Sequence, residues 1–151
     1  MQSSVKSVVK KACKIVSHFK HSEQACHRLA ECQKSRDIPE HKLIQDVETR
    51  WNSTYLMLQR VAEQRKALNL CSVERGSITT LTNLEWELTE RVVLLLKPFY
   101  EATLEICSDD ACISIVILLI VMLTGKLQST TEDHGLLQMK KSGYFRYGTL
   151  V

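Results

Sequence analysis

Arg50 and Trp51 are the adjacent side chains best suited to a chemical task in this sequence. An indole stacks on an unpaired base, a contact worth roughly 1–3 kcal/mol. A guanidinium grips phosphate through its planar fork, and a helix starting just beyond adds its first amides to the same job. The pair stands in Thr49-Arg50-Trp51-Asn52-Ser53-Thr54, where Asn52 or Ser53 has the side chain of a helix N-cap. By residue type alone, a core or capping role is the plainer reading of a single tryptophan.

Other candidate sites carry less. Cys13, His18, His21, Cys26 and His27 are close in sequence, and zinc takes four ligands of these types. Their spacings match no common zinc-binding pattern, and Cys13 and Cys26 fall on the apolar sides of the expected helices. Core thiols and surface histidines are therefore expected, with no metal. Asp109-Asp110 is an adjacent acid pair. Two-metal phosphoryl chemistry needs carboxylates converging on ions roughly 4 Å apart. Neighbours on a turn point apart, so a turn or cap explains these two. No glycine-rich phosphate loop, G-x-S-x-G or H-E-x-x-H is present. No catalytic residue and no cofactor is expected.

The elements that position these residues read as helices. Val5, Val8, Val9, Ala12, Ile15, Val16 and Phe19 recur at three- and four-residue steps, an apolar stripe with lysines opposite. Ser22 suits the N-cap of a second helix carrying Ala25, Leu29 and Cys32, which ends at Arg36-Asp37-Ile38-Pro39 because the residue before proline resists helix. His41 to Val47 reads as a short strand. A third helix follows to about Leu70, with Tyr55, Leu58, Val61, Ala62 and Leu68 on its buried side. Cys71 to Leu81 reads as a loop. Thr82-Asn83-Leu84-Glu85 has the form of a capping box. The next helix carries Trp86, most simply a core residue, with Leu88, Val92, Val93, Leu95 and Leu96. Pro98 should kink it or shift its hydrogen bonding. Cys112 to Leu127 is a last helix, apolar nearly all round and in need of burial. Lys140 to Val151 shows no period and is expected to be loose.

A length of 151 residues fits one ordinary domain or a piece of a larger one. Two prolines and five glycines leave helix as the favoured structure. The net charge of +3 does not itself imply nucleic acid. Lys6, Lys10, Lys11, Lys14 and Lys20 with no acid in the first twenty residues have the charge of an organelle presequence, but a solvated lysine face is the simpler reading. Six cysteines without C-x-x-C spacing or a secretory leader suit a reduced intracellular setting. The longest apolar run, Ile113 to Leu123, is shorter than the roughly 20 residues a bilayer needs, so no membrane is expected.

Leu43-Ile44-Gln45-Asp46-Val47-Glu48-Thr49-Arg50-Trp51-Asn52-Ser53-Thr54-Tyr55-Leu56-Met57-Leu58 closely resembles a stretch of hAT-family transposases and of their domesticated relatives, the zinc finger BED domain-containing proteins. Glu63 to Leu68, Leu81 to Glu90, Leu96-Lys97-Pro98-Phe99 with Glu101-Ala102-Thr103, and Thr131 to Leu137 resemble the same family. Similarity runs over roughly residues 1–141, and Ser142 to Val151 departs from it, as a truncation, altered frame or splice form would.

The resemblance implies a mostly α fold: a fragment of an RNase H-like (α/β) catalytic domain running into its all-helical insertion, with at most one or two short strands. On that basis residues 1–70 hold the partial RNase H-like region with the Arg-Trp motif, 71–141 begin the helical insertion, and 142–151 form a divergent tail. In such transposases two metal-binding acids lie upstream of the Arg-Trp motif and one lies well downstream, so no residue here inherits a catalytic role. The family's tryptophan stacks on a flipped base at the DNA end, which maps onto Trp51 with Arg50 beside it. Flipping costs a few kcal/mol and such stacking offsets it. The expected product is a non-enzymatic, nuclear fragment with residual DNA binding or protein association. The alternative is a helical interaction or dimerisation module, self-associating or binding another protein through the apolar helix 112–127, with no nucleic-acid role.

Overall fold

A computed structural model of the chain describes residues 2–75, 80–108 and 113–129. Among these residues there are six helices and no strand: α1 (Gln2–His21), α2 (Glu23–Ser35), α3 (Trp51–Glu63), α4 (Arg65–Arg75), α5 (Asn83–Ile106) and α6 (Ile113–Ser129). The mostly helical fold expected from the sequence is the one found. Asp109-Asp110 and the tail from Lys140 lie outside the described residues. The described residues divide into two compact units, Ser4–Lys97 and a second that begins at Pro98.

In the first unit, α1 buries Val5, Val8, Ala12, Ile15, Val16 and Phe19, and exposes Lys6, Lys10, Lys14 and Lys20. Each buried Val, Ile or Phe here contributes about 1.5–3 kcal/mol, so the stripe rather than helix propensity holds α1 in place. Ser22 caps α2, its hydroxyl accepting the Ala25 amide at 3.2 Å. The far end of α2 closes differently from a simple proline stop. The amides of Ile38 and Asp37 return to the carbonyls of Gln33 and Lys34, at 3.0 and 3.2 Å. Asp37 takes φ 53°, the left-handed residue of a Schellman motif, and Pro39 then follows where helix cannot continue.

Residues 41–47 are not a strand. No second strand is present among the described residues to pair with them. Their carbonyls and those just before are taken by side chains instead: Gln64 Nε2 donates to Pro39 (3.2 Å), Gln33 Nε2 to His41 (3.0 Å) and Arg60 to Lys42 (3.4 Å).

The single helix expected from residue 52 to about 70 is two helices, α3 and α4, divided at Gln64. Its backbone sits in the bridge region, φ −87° and ψ 9°. Its side chain is fully buried, with Oε1 accepting from Gln33 Nε2 at 2.8 Å. A buried amide must be paired, and that pairing holds the break in place. Helix α4 then packs on α2, burying Ala67, Leu68 and Cys71, and runs on to Arg75 through residues expected to form a loop. Helix α5 opens with the expected capping box and buries Trp86, Thr89, Val92 and Leu96 in this unit. The Arg65 guanidinium lies 5.5 Å from the centre of the Trp86 ring and also pairs with Glu90 at 2.9 Å.

Helix α5 continues through Pro98 into the second unit, as far as Ile106. There α6 carries Ile117, Leu118, Ile120, Val121 and Met122, each more than half exposed. No helix among the described residues is long and apolar enough to cross a membrane.

Candidate nucleic-acid interface

The turn that presents Arg50 and Trp51 is built from Asp46 outward. Val47 to Arg50 forms a β-turn closed by the Arg50 amide donating to the Val47 carbonyl at 2.8 Å. The Ser53 hydroxyl sits inside it. Ser53 Oγ accepts the Val47 amide at 2.8 Å, and lies 2.6 Å from the Arg50 carbonyl and 2.7 Å from Asp46 Oδ1. Thr54 donates to the same carboxylate oxygen at 2.8 Å. One acid, seven residues before Ser53 and eight before Thr54, thereby gathers both hydroxyls of the first turn of α3, at the helix end where negative charge is favoured.

Below this knot lies α1. Cys13 Sγ is 3.9 Å from Asp46 Oδ2 and 3.7 Å from Met57 Sδ, and Met57 is fully buried. Burial, and then the negative charge of Asp46, push the Cys13 thiol up from its ordinary value. It stays protonated at neutral pH, without the thiolate that nucleophilic chemistry needs. On the outer face of α1, Lys10 and Lys14 flank Cys13 in sequence and are exposed.

Helix α3 starts two or three residues earlier than expected. Its N-cap is Arg50, in extended conformation (φ −127°, ψ 101°), with no cap hydrogen bond from its side chain. Asn52 and Ser53, the expected caps, lie within the first turn. Ser53 is drawn into the turn network, and Asn52 Oδ1 is buried without a hydrogen-bond partner among the described residues. A guanidinium has no acceptor to offer the helix amides, so the cap residue contributes its backbone only. Arg50 is exposed, and Trp51 is 40% exposed at the first helical position. Trp86, by contrast, is in the core as expected, 1% exposed.

Asp46, Ser53 and Thr54 hold the turn together; of the three, the sequence pointed only to Ser53, and as a cap, although all lie in the quoted motif. The readable signal was an acid before a short turn with two hydroxyls just after it. The cysteine–histidine group is dispersed. Cys26 and His27 lie on the exposed face of α2, against the expectation that Cys26 sits on its apolar side, while Cys13 is half-buried beneath Asp46. Residue 26 follows the buried Ala25, and the stripe continues through Leu29 and Cys32 without it. Among the described residues no three His, Cys, Asp or Glu side chains converge as metal ligands. An open cavity of about 630 Å³ lies between the end of α1, α2 and the 40–43 segment, lined in part by Phe19, Leu29 and Leu43.

The model of the ZBED1 RNase-like helical domain matches residues 2–95, which takes in the whole Asp46–Thr54 turn and the helices that hold it. The chain belongs to this family. It is 33% identical to human zinc finger BED domain-containing protein 4 over 132 residues, covering 87% of this chain and 11% of that protein. It is 35% identical to zinc finger BED domain-containing protein 6 of both human and mouse over 130 residues, covering 86% of the chain and 13% of each. A shorter stretch of 61 residues is 39% identical to a putative transcriptional regulator, tpeD, of Talaromyces stipitatus, over 40% of the chain and 7% of that protein. The chain thus spans about an eighth or less of the length of these zinc finger BED domain-containing relatives. No solved structure matches it. The family is that of the hAT-derived, zinc finger BED type that the Arg-Trp motif resembles.

Proposed function

We propose that this chain is a non-catalytic, DNA-binding segment of a domesticated hAT transposase-like protein, acting in the nucleus, with Arg50 and Trp51 as its contact residues. Residues 1–70 carry the motif-bearing part and 71–141 the start of the helical insertion. The observation that carries the reading is the exposed Arg50–Trp51 pair at the start of α3, held by the Asp46–Ser53–Thr54 knot. The exposed part of the indole can stack on an unpaired base while Arg50 meets a neighbouring phosphate. Lys10 and Lys14, exposed on the helix beneath the knot, add charge of the sign a phosphate backbone attracts. Relatives named as zinc finger BED domain-containing proteins and as a putative transcriptional regulator agree with a role on DNA.

Titration of the chain with a labelled hairpin bearing unpaired bases tests this. Affinity should fall linearly as log salt rises, and Trp51→Ala should weaken binding by roughly 5- to 150-fold, the worth of one stacked base. Equal binding by Trp51→Ala refutes the assignment. Magnesium or manganese should leave the DNA uncut; metal-dependent cleavage overturns the non-catalytic part.

A second reading rests on α6. Its exposed Ile117, Leu118, Ile120, Val121 and Met122 form the apolar surface of a helical association module. Oligomers that grow with concentration, ignore salt and form without DNA affinity favour that reading over the first.

A further inference from the structure

Cys32 on α2 and Cys71 on α4 face each other with their sulfurs 2.7 Å apart. That is closer than ordinary non-bonded heavy-atom contact, about 3.5–4 Å, and a further approach of less than about 1 Å reaches the ~2.05 Å of a covalent sulfur–sulfur bond. Both side chains are buried, 4% and 7% exposed, and the helices that carry them pack on one another. Neither thiol is needed for the Arg50–Trp51 turn. As apolar filling, either position would accept alanine or valine; two thiols meeting across a helix interface add the capacity to bond.

We propose that Cys32 and Cys71 are a paired modification site, oxidised by hydrogen peroxide to an intramolecular disulfide. One thiol loses its proton, its thiolate attacks a peroxide oxygen and breaks the O–O bond, the expelled hydroxide takes up that proton as water, and the sulfur is left as a sulfenic acid. The second thiol attacks that sulfur, the S–S bond forms, and the hydroxyl leaves as a second water. Two electrons pass from the sulfurs to one peroxide. Cys26 and Cys107 are more exposed and meet oxidant sooner. The distinction of the 32–71 pair is the neighbour that resolves the sulfenic acid at once. Peroxide reaches the buried pair through local opening of the kind native helices undergo. The bond closes a loop containing the 36–50 connector and α3, so Arg50 and Trp51 ride on the segment it staples.

The full-length chain, treated while folded with hydrogen peroxide, alkylated and digested with trypsin without reduction, gives the test. Cys32 falls in the peptide Leu29–Lys34 and Cys71 in Ala67–Arg75, each with a single cysteine. The expected result is these two peptides linked, in monomeric protein, and separated by reductant. The oxidised monomer should melt higher by on the order of 10 °C, because the cross-link restricts the unfolded chain. Cys26→Ser should keep the linked peptide and Cys71→Ser should lose it. Recovery of the two peptides unlinked from oxidised wild-type monomer, or linked only between chains, overturns the proposal.

Discussion

Two helices of this protein begin in opposite ways. At α5 the cap residue serves the helix: the Thr82 hydroxyl lies 3.4 Å from the Glu85 amide it accepts, and Glu85 Oε2 takes the Thr82 amide at 2.9 Å. At α3 the cap residue is Arg50, whose side chain gives the helix nothing, and the holding is done by Asp46 and Ser53 from either side of the turn. The first arrangement is local, spanning four residues, and leaves no side chain over. The second needs a longer network, and what it gains is a cap position released from capping. A surface arginine and tryptophan at a helix start are affordable only with such outside support.

The sharpest way to break this contrast is to remove the support. Ser53→Ala deprives the Val47 amide of its acceptor and Asp46 of a donor in a part-buried site, and should lower stability by about 2 kcal/mol, read by urea unfolding. A loss no larger than that of an ordinary surface substitution means the knot does not hold the turn. Thr82→Ala removes one reciprocal partner of the local box and should cost about 1 kcal/mol. If it equals or exceeds Ser53→Ala, the two helix starts are not built as differently as described.

Arg50→Ser sharpens the comparison by giving α3 a conventional cap. It should stabilise the protein by roughly 0.5–1 kcal/mol while weakening DNA binding, so that melting temperature and affinity move in opposite directions. A destabilised variant shows that Arg50 was already serving the fold. The smallest effect is expected at Glu85. Its hydrogen bond from Lys11, then that from the Thr82 backbone, hold its carboxyl below the ordinary value of about 4.5. A group lowered by folding stabilises fully above its unfolded value and loses that contribution as pH falls through the folded one. Wild type should therefore melt above Lys11→Met at neutral pH, and the gap should close as pH drops below about 4.5. A gap that persists at pH 3 assigns it to packing of the lysine stem instead.

What could be read in advance divides along the same line. The stripe of α1, the Ser22 cap and the Thr82–Glu85 box are short-range patterns, and each appears where residue spacing places it. The features missed depend on partners far off in sequence. Gln64 looks like an ordinary surface residue on a continuous helix until Gln33, 31 residues earlier, claims its amide. The stretch from Cys71 to Leu81 reads as loop because it contains Gly76 and small polar residues, yet α4 runs on to Arg75, with Cys71 buried where α4 packs on α2. Residues 41–47 have strand-like composition but no neighbour to pair with among the described residues. At the site itself, Arg50 and Trp51 were legible by type and by resemblance, whereas the Asp46 knot beneath them emerges only when the turn is folded.

The pairing of Lys11 with Glu85, residues 74 apart, has a consequence for how the protein is made. At roughly 5–20 residues per second the ribosome finishes α1 about 3–13 s before Glu85 emerges. During that interval Val5, Val8, Ile15 and Phe19 lack part of the surroundings that will cover them. The nascent chain is then a sticky amphipathic rod, and the yield of folded product should depend on chaperones that shield it until the later helices arrive.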